Sequence, residues 1–145
     1  MSDSSIRQLI AATEPRENVI AQGWVRTRRD SKNCTFIELN DGSGLRGLQV
    51  VADNGLPCAH LYPQILTGAS VRVTGDLVKS PAAGQAYELL AKEIEILGIA
   101  DGTYPLQKKQ HSFEFLRTIA HLRPRTNTFG AIARVRNCVS RSIHN

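Results

Sequence analysis

Apolar and polar residues alternate with a period of two in five separate segments between Asn18 and Leu97, which restricts this part of the chain to an architecture built mainly of strands. In NVIAQGWVRTRRD, Val19, Ala21, Gly23 and Val25 oppose Ile20, Gln22, Trp24 and Arg26, as in one long curved strand where Gly23 permits a bend or bulge. In NCTFIELN, Thr35, Ile37 and Leu39 share one face, and Cys34, Phe36, Glu38 and Asn40 share the other. DGSG at 41–44 is a turn, after which Leu48, Val50 and Ala52 alternate with Gln49 and Val51. In ASVRVTGDLVKS, Val71, Val73, Gly75 and Leu77 oppose Arg72, Thr74 and Asp76. SPAAGQ reads as a hairpin connection, and AYELLAKEIEIL as a fifth strand broken in its middle.

The non-strand pieces complete the pattern. NGLPCAHLYPQILTG, between the third and fourth strands, reads as a short helix interrupted near Pro63 and closed at Gly68. Ser4 and Ser5 cap a short N-terminal helix that ends by Glu14-Pro15. Three strands, a helix and two strands within about 80 residues is the order of an OB-fold, a five-stranded Greek-key barrel with its helix between strands three and four. Closure of such a barrel also removes exposed sheet edges.

Charge separates this region from the remainder of the chain. Residues 1–101 carry 10 Lys and Arg against 12 Asp and Glu, whereas residues 102–145 carry 8 against Glu114 alone. A partner rich in phosphate is one explanation of the basic segment, and a solvated tail is the other. Residues 102–128 lack strand alternation and read as a linker with a helical turn near Glu114 to Ile119. From 129 to 145, Phe129, Ile132, Val135, Val139 and Ile143 recur at helical spacing, an amphipathic helix capped by Thr126, Asn127 or Thr128. Its apolar stripe calls for a partner, so the chain reads as part of a longer protein. The expected division is therefore 1–101, 102–128 and 129–145.

No apolar run reaches membrane-spanning length, and the N-terminus lacks the basic and apolar order of a secretory signal, so a cytoplasmic protein without a membrane partner is expected. Cys34, Cys58 and Cys138 have no neighbours at metal-ligand spacing, and His60, His111, His121 and His144 are scattered. Neither a metal site nor a catalytic constellation is expected in this chain.

OB-folds bind oligonucleotides chiefly across the face of strands two and three. Phe36 and Gln49 fall on that face, with Arg26, Arg28, Arg29 and Lys32 on or beside the neighbouring strand. An exposed aromatic stacks bases, arginine stacks or binds phosphate, and an amide both donates to and accepts from a base edge. Taken singly, each is also an ordinary solvated strand residue; their meeting on one face points to unstacked bases. Trp24 reads instead as core or barrel-rim packing. Strand alternation favours Arg26 and Arg28 as the outward pair, and Arg29 joins them only if a bulge or turn comes after Arg26.

GWVRTRRDSKNCTFIELNDGSG followed by LQVV resembles the N-terminal anticodon-binding domain of the class IIb aminoacyl-tRNA synthetases. YPLQKKQHSFEFLRTIAHLRPRTNTFGAIARVRN is similar to the asparaginyl members, and the resemblance covers residues 16–145. It implies that Phe36, Gln49 and Arg29 hold the central uridine of the tRNA(Asn) anticodon, and that Glu88 helps read a neighbouring base. Lys108, Lys109, Arg123 and Arg125, with Arg26, Arg28 and Lys32, would add contacts to the tRNA backbone. The resemblance further implies a homodimeric parent enzyme that uses ATP and Mg2+ to activate asparagine. The sequence motifs that hold ATP in that family are missing from this chain, so the chain alone is expected to be inactive. A stand-alone single-strand binder, a protein-interaction module built on the last helix, and an aspartyl relative charging both tRNAs remain alternatives.

Overall fold

The computed structural model describes residues 4–81 and 84–144. Ala82 and Ala83 of the expected SPAAGQ hairpin, and Asn145 at the end of the expected last segment, lie outside the described residues. The chain divides into two compact units, residues 1–107 and 108–145.

The first unit is a closed five-stranded barrel in the order β1-β2-β3-β5-β4. Its strands are β1 (Arg16–Asp30), β2 (Cys34–Asn40), β3 (Leu48–Asp53), β4 (Ser70–Lys79) and β5 (Tyr87–Gly98). All pairings are antiparallel except β3 with β5. β1 is long enough to pair with β4 through its first half and with β2 through its second, and so closes the barrel. The connection between β3 and β4 is a 3-10 helix, Pro57–Gln64, which contains Pro63. The mainly β, OB-fold architecture expected from the alternation is thus present.

The inward positions are those the alternation selects: Ala21, Val25, Ile37, Leu39, Val50, Val71, Val73 and Leu89 are fully or almost fully buried. The fifth strand is continuous rather than broken. Its central irregularity is a register shift opposite Thr74 and Gly75, which lets one strand accommodate an extra residue without ending; a second lies opposite Ser70 and Val71, near its end. Gly75 is required there, because a Cβ would stand 2.0 Å from the Leu90 carbonyl oxygen. Gly23 marks neither irregularity of β1: it pairs in register with Val71, and the shifts lie between Arg16 and Val19 and between Val25 and Thr27.

A short helix α1 (Ile6–Ile10) adds Ile6 and Leu9 to the barrel core. Ser5 and Gln8 form a reciprocal capping box at its start. The DGSG turn after β2 also receives the helix: Asp41 Oδ2 accepts from the Ile6 N–H at 2.9 Å, and Ser43 Oγ accepts from the Arg7 N–H at 3.0 Å. Residues 102–107, expected in the linker, belong to the first unit, and the Tyr104 ring lies against Gly68.

The second unit contains α2 (Phe113–Thr118), capped by the Ser112 hydroxyl, a 3-10 turn at Arg123–Arg125, and α3 (Asn127–His144). Thr126 caps α3, its hydroxyl accepting from the Phe129 N–H at 3.4 Å. Ile132, Val135, Val139 and Ile143 are exposed along α3.

Candidate nucleic-acid interface

The phase of β1 decides which arginine shares a face with Phe36. Before the bulge, Val25 pairs with Leu39 on the inner side and Trp24 with Asn40 on the outer. The extra residue, Arg26, resets the alternation, so that Thr27 pairs with Glu38, Arg28 with buried Ile37, and Arg29 with Phe36. Directly paired residues point to the same side of a sheet. Arg29 is therefore outward and Arg28 inward.

Contacts agree with this phase. The Arg29 guanidinium carbon lies 4.9 Å from the Phe36 ring centroid, a cation–π distance. Arg28 instead donates to the Tyr62 and Ile65 carbonyls and to Asp30, the last at 2.8 Å. Its guanidinium ties the end of the 3-10 helix to β1. Arg26 donates to the Leu45 carbonyl at 3.1 Å, toward the β2–β3 connection. Lys32 is exposed in the β1–β2 turn, next to the Arg29 and Phe36 end of the strands.

Two rows of side chains cross the outer face. Strand register places Arg29, Phe36, Val51 and Leu90 in one row, with Leu90 40% exposed. The adjacent row contains Thr27, Glu38 and Gln49, and ends at Glu88 on β5. The first row offers ring and aliphatic surface beside a cation; the second offers donors and acceptors. This division suits a planar, unpaired base, whose face is apolar and whose edge is polar.

Gln49 Nε2 donates to Glu88 Oε2 at 3.3 Å. Glu88 itself is 7% exposed, and the same oxygen accepts from Ser80 Oγ at 2.9 Å and Gln85 Nε2 at 3.2 Å. Burial of this carboxylate is tolerated because three donors surround it.

The structure brings Arg29, Phe36, Gln49 and Glu88 onto one outer face and turns Arg28 away from it. Lys108, Lys109, Arg123 and Arg125 belong to the second unit, where the lysines are exposed and Arg123 lies 5.2 Å from the Phe129 ring centroid. Trp24 is not a core residue: it is 41% exposed, on the outer side opposite Asn40. Sequence reasoning missed Leu90, Ser80 and Gln85. Leu90 was legible only once β5 was known to run unbroken beside β3, while the contacts of Ser80 and Gln85 depend on the β4–β5 connection.

Residues 19–97 match the tRNA anti-codon family, described as an OB-fold nucleic acid binding domain. The chain belongs to this family. Its OB-fold domain is accompanied by sequence likeness over most of the remaining chain. It is 56% identical over 135 residues to the asparagine–tRNA ligase of Geotalea uraniireducens (strain Rf4), a match covering 93% of this chain and 29% of that protein. It is 54% identical over 141 residues to the asparagine–tRNA ligase of Thermosynechococcus vestitus, covering 96% of this chain and 30% of the relative. The chain thus spans less than a third of the length of these curated relatives. The crystal structure of asparaginyl-tRNA synthetase from Pyrococcus horikoshii complexed with asparaginyl-adenylate superposes with a TM-score of 0.80 at 21% identity. That match covers 94% of this chain and 32% of the other, and at such identity the likeness is one of fold. The resemblance read in the GWVRTRRD and NCTFIELND segments is borne out by these relatives.

Proposed function

We propose that this OB-fold domain recognises the anticodon loop of tRNA(Asn) as part of a cytoplasmic asparagine–tRNA ligase. The observation that carries the reading is the pairing of Arg29 with Phe36 beside Gln49 on the outer face of a barrel from this family. The names of the relatives supply the substrate class.

In this reading the central anticodon base stacks on Phe36. It takes the place of the Arg29 guanidinium over the ring, and Arg29 then donates to the base edge or to phosphate. Gln49 meets the polar edge, with Glu88 behind it. Lys32 in the β1–β2 turn and Arg26 at the β1 bulge face the backbone, and the basic residues Lys108, Lys109, Arg123 and Arg125 supply further phosphate contacts. A ligase of the relatives' length would activate asparagine with ATP and Mg2+ and work as a homodimer. Among the described residues no group of three or more His, Cys, Asp and Glu side chains could hold a metal ion.

The test is equilibrium binding of anticodon stem-loops that differ only at the central base, at fixed salt. Tighter binding of the uridine form supports the reading. Equal binding of all four would assign the face to single strands without regard to sequence. Affinity falls with added salt in either case, because phosphate contacts release counterions.

A further inference from the structure

We infer that Glu88 acts through Gln49, as a positioning residue that fixes which end of the Gln49 amide faces a bound base. The inference rests on the proposed anticodon reading and deepens it by assigning the origin of the preference for uracil over cytosine.

Glu88 is 7% exposed, so little of its carboxylate is open to a ligand. Its Oε2 accepts from Gln49 Nε2 at 3.3 Å, Ser80 Oγ at 2.9 Å and Gln85 Nε2 at 3.2 Å. Gln85 Nε2 also donates to Ser80 Oγ at 3.0 Å, so the hydroxyl hydrogen is directed to the carboxylate. Gln49, Ser80 and Gln85 therefore all donate to one carboxylate oxygen. The order of the strands explains the meeting: Val50 and Leu89 pair in parallel, which sets Gln49 beside Glu88 on the outer side.

A glutamine amide has a donor end and an acceptor end, and a free one can reverse them by a half-turn. An acceptor-only oxygen removes that freedom. With Nε2 committed to Glu88, the amide presents Oε1 to a ligand. Uracil carries a hydrogen on N3 and can donate it to Oε1; cytosine carries a lone pair there, which Oε1 repels. Cytosine could satisfy Oε1 only by shifting in its plane until the N4 amino group donates instead, which moves it off the position set by Phe36 and Arg29. Glu88 thereby selects against cytosine without touching it. Reading of a neighbouring base by the carboxylate itself is the competing role, and it predicts a different pattern of substitutions.

The experiment compares Glu88→Met, which removes the acceptor at similar volume, with Glu88→Gln, which retains a carbonyl oxygen for Gln49. Thermal unfolding of each variant establishes that it folds. Stem-loops carrying uridine or cytidine at the central position are titrated at fixed salt. The wild type is expected to favour uridine by at least about 10-fold. Glu88→Gln retains that ratio, and Glu88→Met brings the two stem-loops within roughly threefold. A ratio unchanged in Glu88→Met overturns the inference, as does a loss in Glu88→Gln equal to that in Glu88→Met. A change confined to the base beside the central one also overturns it.

Nuclear magnetic resonance of the free chain gives a second measurement that needs no RNA. The Gln49 side-chain amide hydrogen directed at Glu88 should exchange more slowly with water in the wild type and in Glu88→Gln than in Glu88→Met. Fast exchange in the wild type overturns the positioning role even if Glu88→Met does not fold. If the wild type proves indifferent to the central base, the anticodon reading fails, while slow exchange of the Gln49 amide still establishes the positioning contact.

Discussion

Arg29 and Phe36 are direct cross-strand partners, and the guanidinium carbon of the first stands 4.9 Å from the ring centroid of the second. In the free protein the cation shields the ring that the proposed function assigns to a base. Replacing Phe36 by Ala removes the platform and should weaken anticodon stem-loop binding by about 1–3 kcal/mol. Fluorescence titration at fixed salt measures it; an unchanged dissociation constant would remove stacking from the proposal. Because Phe36 is on the outer face, melting temperature should change much less than for substitution of buried Ile37.

Arg28 and Arg29 are neighbours in sequence with opposite assignments. Arg28 bonds to the carbonyls of Tyr62 and Ile65 and to Asp30, holding the 3-10 helix against β1. Arg28→Ala should therefore destabilise the barrel by roughly 1–3 kcal/mol, since it removes charged hydrogen bonds to carbonyls that remain partly buried. Arg29→Ala should leave urea unfolding nearly unchanged but weaken stem-loop binding and lower its salt dependence. Measuring both properties on both variants checks the phase of β1; the reverse pattern would contradict it.

That phase shows what the amino-acid pattern could and could not specify. Alternation placed Phe36, Gln49 and the inward apolar residues, because the period of two is imposed by the pleat itself. It favoured Arg26 and Arg28 over Arg29 because a bulge adds a residue without leaving a compositional mark. Gly23 offered the obvious place for an irregularity, yet its lack of a side chain answers a close approach instead: a Cβ would lie 2.9 Å from the Asn40 carbonyl oxygen. Only the resemblance to class IIb synthetases singled out Arg29. The Glu88 cluster was less legible still, since it depends on the parallel contact of β3 with β5 and on the connection that brings Ser80 and Gln85 to it.

Gln49 should determine dependence on base identity more than total affinity. In the proposed complex much of the binding energy would come from stacking and phosphate contacts, which Gln49→Ala leaves in place. The variant is expected to bind the uridine stem-loop somewhat less tightly and to lose most of the penalty for replacing the central base. The comparison is a double-mutant cycle between Gln49 and that base, and a coupling energy near zero would remove Gln49 from base reading.

The attachment of α1 to the DGSG turn predicts an acid-dependent loss of stability. Burial pushes the Asp41 carboxyl up, but hydrogen bonds from the Ser43 hydroxyl and from the Ile6 and Ser43 N–H groups outweigh it and leave the folded pKa below the ordinary carboxylate value. A carboxylate with a depressed folded pKa contributes stability that is fully present above its unfolded pKa and disappears as pH falls through the folded value. Stability should thus decline below about pH 4, with Asp76 contributing through its hydrogen bonds from Lys92 and the Asn18 N–H, which also lower its pKa. Asp41→Asn keeps one acceptor oxygen and removes the charge, so it should cost roughly 1 kcal/mol at pH 7. It should also flatten part of the decline below about pH 4. Urea unfolding across this range measures both effects. An Asn variant with the full wild-type slope would show that Asp41 does not link protonation to the seating of Ile6 and Leu9 in the barrel core.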